Sequence, residues 1–238
     1  MKNNNSRTQN SIMNVFSGFL YQCITLVLTF ASRTIFLQVL SVDYLGINGL
    51  FNDILQMLSL ADLGFNTAMT YSFYKPLAEK DTLKIAQLVS FYKKVYRIVA
   101  IAVATVGIAL TPFIKYIVNV EKDIPLLHVY YLFSLAGVVI SYLFVYKTTL
   151  LIADQKNYLI NKISIVINTI KTIIQILALL LFKSYVIYLV VALISTFLNN
   201  YIASKKAENE YEKYRIIQDQ KYISSMDEFY NKYLEENK

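Results

Sequence analysis

Cysteine, histidine and tryptophan are nearly missing from this sequence, which has one cysteine, one histidine and no tryptophan among its 238 residues. Cys23 alone cannot form a disulfide within the chain. A single histidine cannot build a histidine-rich metal site. The P-loop, GxSxG and HExxH patterns are absent as well. The sequence therefore argues against an enzyme, and we expect no catalytic residue, no bound metal and no cofactor.

Charged residues are also scarce. They make up 16% of the chain, against about a quarter in a typical soluble domain. Residues 11–32, 98–114, 124–146 and 184–204 contain no Asp, Glu, Lys or Arg. A bilayer core of about 30 Å is crossed by roughly 20 mostly apolar helical residues. These blocks predict an integral membrane protein, and no β pattern or internal repeat competes with that interpretation.

The pattern predicts an all-α bundle of six transmembrane helices. The second is interrupted by Asp53 and Asp62, and Pro76 is expected to end it. Asp81 is expected to cap an amphipathic helix at the membrane surface, over residues 83–99, that leads into the third. The predicted spans are residues 15–37, 44–74, 98–118, 124–146, 158–182 and 184–204.

Two regions follow from this division of the chain. Residues 1–204 form the predicted transmembrane lobe. Residues 205–238 form a charged, amphipathic cytoplasmic tail or part of a linker between lobes.

The excess of Lys and Arg, which gives a formal net charge of +7, is uneven along the predicted loops. Twelve Lys and Arg residues fall on the side that carries both termini, and four fall on the other. The positive-inside rule therefore places both termini in the cytoplasm of a multi-pass cell-membrane protein. This distribution explains the basic charge better than nucleic-acid binding does, and no nucleic-acid partner is expected.

Four ionisable residues inside the predicted spans are the candidate cavity-lining or substrate-binding residues: Arg33, Asp53, Asp62 and Lys171. A charge within a membrane helix costs about 2.5–3.5 kcal/mol on insertion scales, so it usually faces a partner or a cavity. Arg33 and Asp53 fall at similar depth, where an ion pair and a cavity role are both open. Lys171 either pairs with Asp62 or lines a cavity as an anion contact. Asp53 and Asp62 face opposite ways on one helix.

Residues 33–97 carry a series of motifs in a fixed order: RTIF at 33–36, YLGINGLF at 44–51, LSLADLG at 58–64, YSFYKPLA at 71–78 and YKKVYR at 92–97. This stretch resembles the N-terminal half of Wzx-type polysaccharide flippases, which belong to the multidrug/oligosaccharidyl-lipid/polysaccharide exporter superfamily. Asp62 stands where these proteins more often have Glu.

The resemblance implies that the chain is one lobe of a two-lobe transporter. Its substrate would be an undecaprenyl-diphosphate-linked oligosaccharide, moved to the outer leaflet for capsule or exopolysaccharide synthesis. Its partners would be membrane lipids and a second six-helix lobe or another copy of the chain. Lys171 or Arg33 could hold the diphosphate.

Three other functions stay open. One is a small-molecule exporter of the same superfamily, and another is a non-transporting truncated remnant or accessory subunit. A membrane glycosyltransferase or polymerase would need a carboxylate cluster or a large active-site loop, whereas every predicted loop is short.

The predicted orientation can be tested with single cysteines at positions 80, 156 and 183, placed in a Cys23→Ser background. A membrane-impermeant maleimide applied to intact cells should label Lys183→Cys and leave Lys80→Cys and Lys156→Cys unlabelled, because only position 183 lies outside. Permeabilised cells, in which all three should react, serve as the control. Labelling of position 80 or 156 in intact cells would contradict the topology.

Overall fold

A computed structural model describes residues 7–118 and 124–211, without the side chains of residues 60–63. Every secondary-structure element in these two ranges is helical. The elements are α1 (Arg7–Val39), α2 (Val42–Leu58), α3 (Leu60–Glu79), α4 (Thr82–Leu110), a 3-10 turn (Thr111–Phe113), α5 (Ile114–Ile117), α6 (Leu127–Ala153), α7 (Asn157–Phe182) and α8 (Tyr185–Glu210).

Five helical segments of the described chain are long and apolar enough to cross a membrane: α1, the segment from α4 to α5, α6, α7 and α8. Their outer faces carry large apolar side chains, such as Phe30 at 76% exposure and Leu181 at 74%. A soluble protein rarely shows such continuous apolar surface. The chain is therefore an all-helical protein of the multi-pass membrane type.

The second predicted span, residues 44–74, is divided in the structure into α2 and α3. The division falls at Ser59, whose hydroxyl donates a hydrogen bond to the Leu55 carbonyl over 2.8 Å. The Ser59 amide is shared between the Leu55 and Gln56 carbonyls, as in the last turn of a helix. The hydroxyl bond does not by itself break a helix, because Thr105 and Ser141 make the same bond inside uninterrupted helices. Neither α2 nor α3 alone is long and apolar enough to count as a span.

The expectation that Pro76 ends the helix before it is wrong, because α3 continues to Glu79. Proline removes only one ladder hydrogen bond, and one further turn follows it. The helix ends instead at Lys80, whose φ of 56° is left-handed, and the Asp81 amide closes the turn on the Pro76 carbonyl at 2.9 Å. The predicted cap is confirmed, since the Asp81 carboxylate accepts from the Lys84 amide at 2.9 Å.

The separate surface helix predicted over residues 83–99 does not exist as an element of its own. α4 runs without a break from Thr82 to Leu110, because nothing in that stretch interrupts the ladder. Pro112 instead lies in the 3-10 turn that follows. Gly107 allows α4 to approach α6 closely: a Cβ there would lie 2.4 Å from a methyl carbon of Leu135.

The remaining boundaries differ by a few residues. α7 matches its predicted span to one residue, whereas α1 begins earlier and α6 ends later than predicted. α8 continues to Glu210, beyond the predicted end of the lobe at residue 204. The rest of the predicted tail, residues 212–238, lies outside the described residues.

The helices form a curved row. α1 packs on α7, α7 on α8, α8 on α6 and α6 on α4, while α3 packs against α4 and α6. α2 touches α1, α4 and α6 only sparingly. α2 therefore packs loosely against one side of this row of helices.

The two ends of the bundle differ in chemistry. At the aromatic end, the rings of Phe36, Tyr44, Tyr130, Tyr185 and Tyr188 join α1, α2, α6 and α8, with Tyr130 and Tyr185 only 4.8 Å apart. The basic end holds the start of α1, the end of α3, the loop between α6 and α7 and the end of α8. Both ends of the described chain thus lie on the same side of the bundle.

Candidate functional site

One face of α7 turns polar side chains into the bundle. Ser164, Thr172 and Gln175 are buried, and Lys171 lies beside Thr172 and one turn before Gln175. The opposite face is apolar and exposed, with Ile173 at 52% exposure. Spacings of three and four residues place such side chains on one side of a helix. α7 therefore has an apolar outer face and a polar face that points into the bundle.

Lys171 lines an open cavity of about 650 Å³ between α2, α6, α7 and α8. Most polar side chains on its wall are uncharged amides and hydroxyls. They are Asn48, Asn52, Ser59, Ser134, Ser141, Tyr142, Gln175, Tyr188, Thr196 and Asn200.

A second cavity of about 310 Å³ adjoins the first on the side of α1. Arg33 and Lys171 both line it, and so do Ser32 and Thr172. The two cavities have five lining residues in common: Asn48, Asn52, Lys171, Gln175 and Tyr188. The result is one bipartite polar region, with two cations in its smaller part and neutral hydrogen-bonding groups in its larger part.

Some of these neutral groups already hold the helices in place. The Gln175 amide donates to the Tyr188 carbonyl at 3.1 Å, which links α7 to α8. Asn200 donates to the Ser141 hydroxyl at 3.2 Å, which links α8 to α6. The Tyr185 hydroxyl donates to Asn48 at 3.3 Å. These bonds satisfy only part of the hydrogen-bonding capacity of the amides, and the remainder is available to a ligand.

Lys171 has no ion pair or hydrogen bond with any part of the chain that the structure describes. It is 14 residues from the start of α7 and 11 from the end. At 1.5 Å per residue the side chain begins about 21 Å from one end and about 17 Å from the other. A lysine at that depth needs water or an anion around it, which a polar cavity supplies.

The four candidate residues are only partly brought together. Lys171 and Arg33 share the smaller cavity. Asp53 is exposed on α2 and is not on the wall of either cavity, and no ion pair joins it to Arg33 within the described ranges. Asp62 belongs to α3, but its side chain lies outside what the structure describes, so its pairing with Lys171 stays a prediction.

The asparagines, glutamine and serines of the cavity were missed because uncharged polar residues interrupt an apolar helix only weakly. A detectable signal exists in their spacing. Asn48 and Asn52, Lys171 and Gln175, and Thr196 and Asn200 are each four residues apart on one helix. Three such pairs on three predicted spans indicate a shared polar interior.

The basic end is held by a network of ion pairs. Lys156, in the loop after α6, contacts Asp154 at 2.8 Å and Glu210 at 2.9 Å, and the Tyr211 hydroxyl donates to Asp154 at 2.6 Å. Burial disfavours the Lys156 charge, but the hydrogen bonds to both carboxylates outweigh it and raise the pKa of Lys156. The Asn14 side chain bonds the same loop at Gln155. These contacts join α1, α6, α7 and α8.

The described wall of the cavity presents cations and hydrogen-bonding groups. Among the described residues, no group of three His, Cys, Asp or Glu side chains is placed to hold a metal ion. The described wall offers a cation and many hydrogen bonds, but no carboxylate for proton transfer. No family model, curated protein or solved structure matches this chain.

The free energy of unfolding should respond differently to the loss of charge at Lys171 and at Lys156. Lys171→Met should leave the free energy of unfolding unchanged or raise it, because the described part of the chain shows no ion pair at Lys171 that the change would remove. Lys156→Met should lower it by about 1–3 kcal/mol, because two carboxylates lose their partner. Unfolding of the purified proteins in mixed micelles measures both. A Lys171→Met protein as unstable as Lys156→Met would mean that Lys171 holds the fold together.

Proposed function

We propose that this chain is one lobe of a flippase for undecaprenyl-diphosphate-linked oligosaccharides. It would lie in the cell membrane with both termini in the cytoplasm and serve capsule or exopolysaccharide synthesis. The observation that carries the proposal is the central cavity, in which Lys171, near the middle of α7, stands among uncharged hydrogen-bonding groups and has no ion-pair partner among the described side chains.

The smaller part of the cavity has the chemistry of an anion site. Arg33 and Lys171 bring two positive charges to a region whose described wall has no carboxylate. A diphosphate carries compact negative charge and accepts hydrogen bonds from both guanidinium and ammonium groups. The two positive charges would repel a lipophilic cation at the same place, which disfavours a small-molecule exporter that carries such cations.

The larger part of the cavity has the chemistry of a saccharide site. Sugars present many hydroxyls and a few apolar ring faces. Asn52, Ser134 and Asn200 can exchange hydrogen bonds with the hydroxyls, and the rings of Tyr142 and Tyr188 can pack against the sugar faces. A volume of about 650 Å³ falls in the range of small-molecule sites.

The sixth crossing of the membrane is supplied by α2 and α3 together. The ring of Tyr44, near the start of α2, contacts the rings of Tyr130 and Tyr185 at the aromatic end. Leu77, near the end of α3, lines a cavity with Arg7 and Lys156 at the basic end. The pair therefore connects the two ends of the bundle, and the positive-inside rule favours the basic end as the cytoplasmic one.

A second lobe, or a second copy of the chain, would complete the cavity. Asn52, Asp53 and Gln56 are all exposed on α2, and Asn52 also lines the cavity. A Cβ added at Gly46 or Gly49 of the same helix would touch nothing within 4 Å. Polar side chains facing lipid at this depth are costly, so this surface is suited to water and protein rather than to hydrocarbon.

Ligand-induced stabilisation tests the proposal. A diphosphate-linked oligosaccharide lipid should raise the thermal unfolding midpoint of the purified chain, because a ligand that binds only the folded state stabilises it. Lys171→Gln should weaken the apparent affinity by about tenfold or more. Lys162→Gln is the matched control, because Lys162 is exposed on the same helix and does not line the cavities. Stabilisation by a lipophilic cation, with none by the diphosphate lipid, would favour the small-molecule exporter.

The same preparations in liposomes separate a transporter from an accessory protein. A fluorescent form of the diphosphate lipid should exchange between leaflets when a vesicle holds two or more chains. Binding without exchange at every protein density would favour the accessory subunit. Exchange in vesicles that hold a single chain would contradict the need for a second lobe.

A further inference from the structure

A groove of aromatic side chains lies on the outer surface where α6 meets α8, away from the central cavity. The Phe144 ring contacts Phe197 with centroids 5.9 Å apart, and Phe197 stacks on Tyr201 at 5.8 Å. Phe197 and Tyr201 remain 44% and 43% exposed. None of the three lines either part of the cavity. They form an apolar surface at membrane depth with no protein partner in the described chain.

Two lysines lie directly above this aromatic groove, toward the basic end. Lys205 follows Tyr201 by one turn of α8, and its ammonium lies 6.0 Å from the centre of that ring. Lys147 follows Phe144 on α6 and lies 5.6 Å from the ring of Tyr146. Both lysines contact the same carboxylate, Glu208, with Lys205 at 3.0 Å. Glu208 therefore forms ion pairs with both Lys147 and Lys205.

α4 adds two more cations on the other side of α6. Lys93 and Arg97 are one turn apart, and Lys93 lies within electrostatic range of Arg97, Lys147 and Glu208. No carboxylate of the described chain forms an ion pair with Lys93 or Arg97. We call Lys93, Arg97, Lys147 and Lys205 the basic cluster. Among the described side chains, Glu208 is the carboxylate that forms ion pairs with members of this cluster.

We propose that the basic cluster and the aromatic groove together bind an anionic phospholipid, with the headgroup phosphate on the cluster and an acyl chain in the groove. The excess of positive charge would attract an anion, and the apolar groove directly beneath would accommodate a hydrocarbon chain. An anionic phospholipid has an anionic headgroup followed by acyl chains. Basic pockets between transmembrane helices on the cytoplasmic side are suited to such headgroups.

This lipid site is separate from the transport cavity and does not depend on the proposed substrate. Its two parts come from α4, α6 and α8, which pack against each other in that order. A bound lipid would neutralise the repulsion among the four cations and join the cytoplasmic ends of these helices. The expected consequence is a fold that is more stable in membranes that contain anionic lipid.

Native mass spectrometry of the full chain tests the proposal with phosphatidylglycerol and phosphatidylcholine of equal acyl length. The wild-type chain should retain phosphatidylglycerol in preference to phosphatidylcholine. The double variant Lys93→Gln/Arg97→Gln should lose about fivefold in affinity for each cation removed. The charge-retaining variant Lys93→Arg/Arg97→Lys should bind as the wild type does.

The control variant is Lys75→Gln/Lys94→Gln, which removes the same two charges from the same end of the bundle but outside the cluster. It should keep the preference for phosphatidylglycerol. Inorganic phosphate in excess should not displace the lipid, because it lacks the acyl chain that the groove holds. Equal retention of both lipids by the wild type, equal loss in both double variants, or displacement by phosphate would each overturn the proposal.

Discussion

A charge inside a bilayer must find water or a partner, and the arrangement of this chain depends on how it meets that constraint at Lys171. Each helix satisfies its own backbone hydrogen bonds, so its apolar outer face can contact lipid without leaving polar groups unpaired. Lys171 cannot be satisfied in the same way. The described structure surrounds it with amides and hydroxyls from α2, α6, α7 and α8 instead of a carboxylate. A neutral polar interior follows, and with it a cavity that can take a polar ligand.

The bundle is held at its two ends and left open in the middle. Aromatic ring contacts join α1, α2, α6 and α8 at the aromatic end. At the basic end an ion pair joins the loop after α6 to α8, and a hydrogen bond from Asn14 joins the same loop to α1. Between them α2 packs sparingly and ends at the Ser59 bend. The cavity wall nevertheless includes well-packed elements, because α8 packs closely on both α6 and α7 and all three helices line the cavity.

Much of the helical pattern could be read from the sequence, because long apolar blocks without charges have few alternative structures. α7 and the Asp81 cap show this. The predictions failed at two breaks in the helical pattern: the second span is divided at Ser59, and Pro76 lies inside a helix that it was expected to end. The cavity was more difficult to predict from the sequence than the helices were. Its wall is assembled from four helices, and the close approach of α4 to α6 at Gly107 depends on packing that no local pattern encodes.

The central claim is that Lys171 lines a water-filled cavity and does not face lipid. The most direct measurement is the reaction rate of a cysteine at position 171 with a charged methanethiosulfonate reagent, in a Cys23→Ser background. Only the thiolate reacts, and it forms only where water reaches the sulfur. Lys171→Cys should react at least about tenfold faster than Ile173→Cys, which replaces a lipid-facing residue on the same helix. Equal, slow reaction at both positions would contradict the claim.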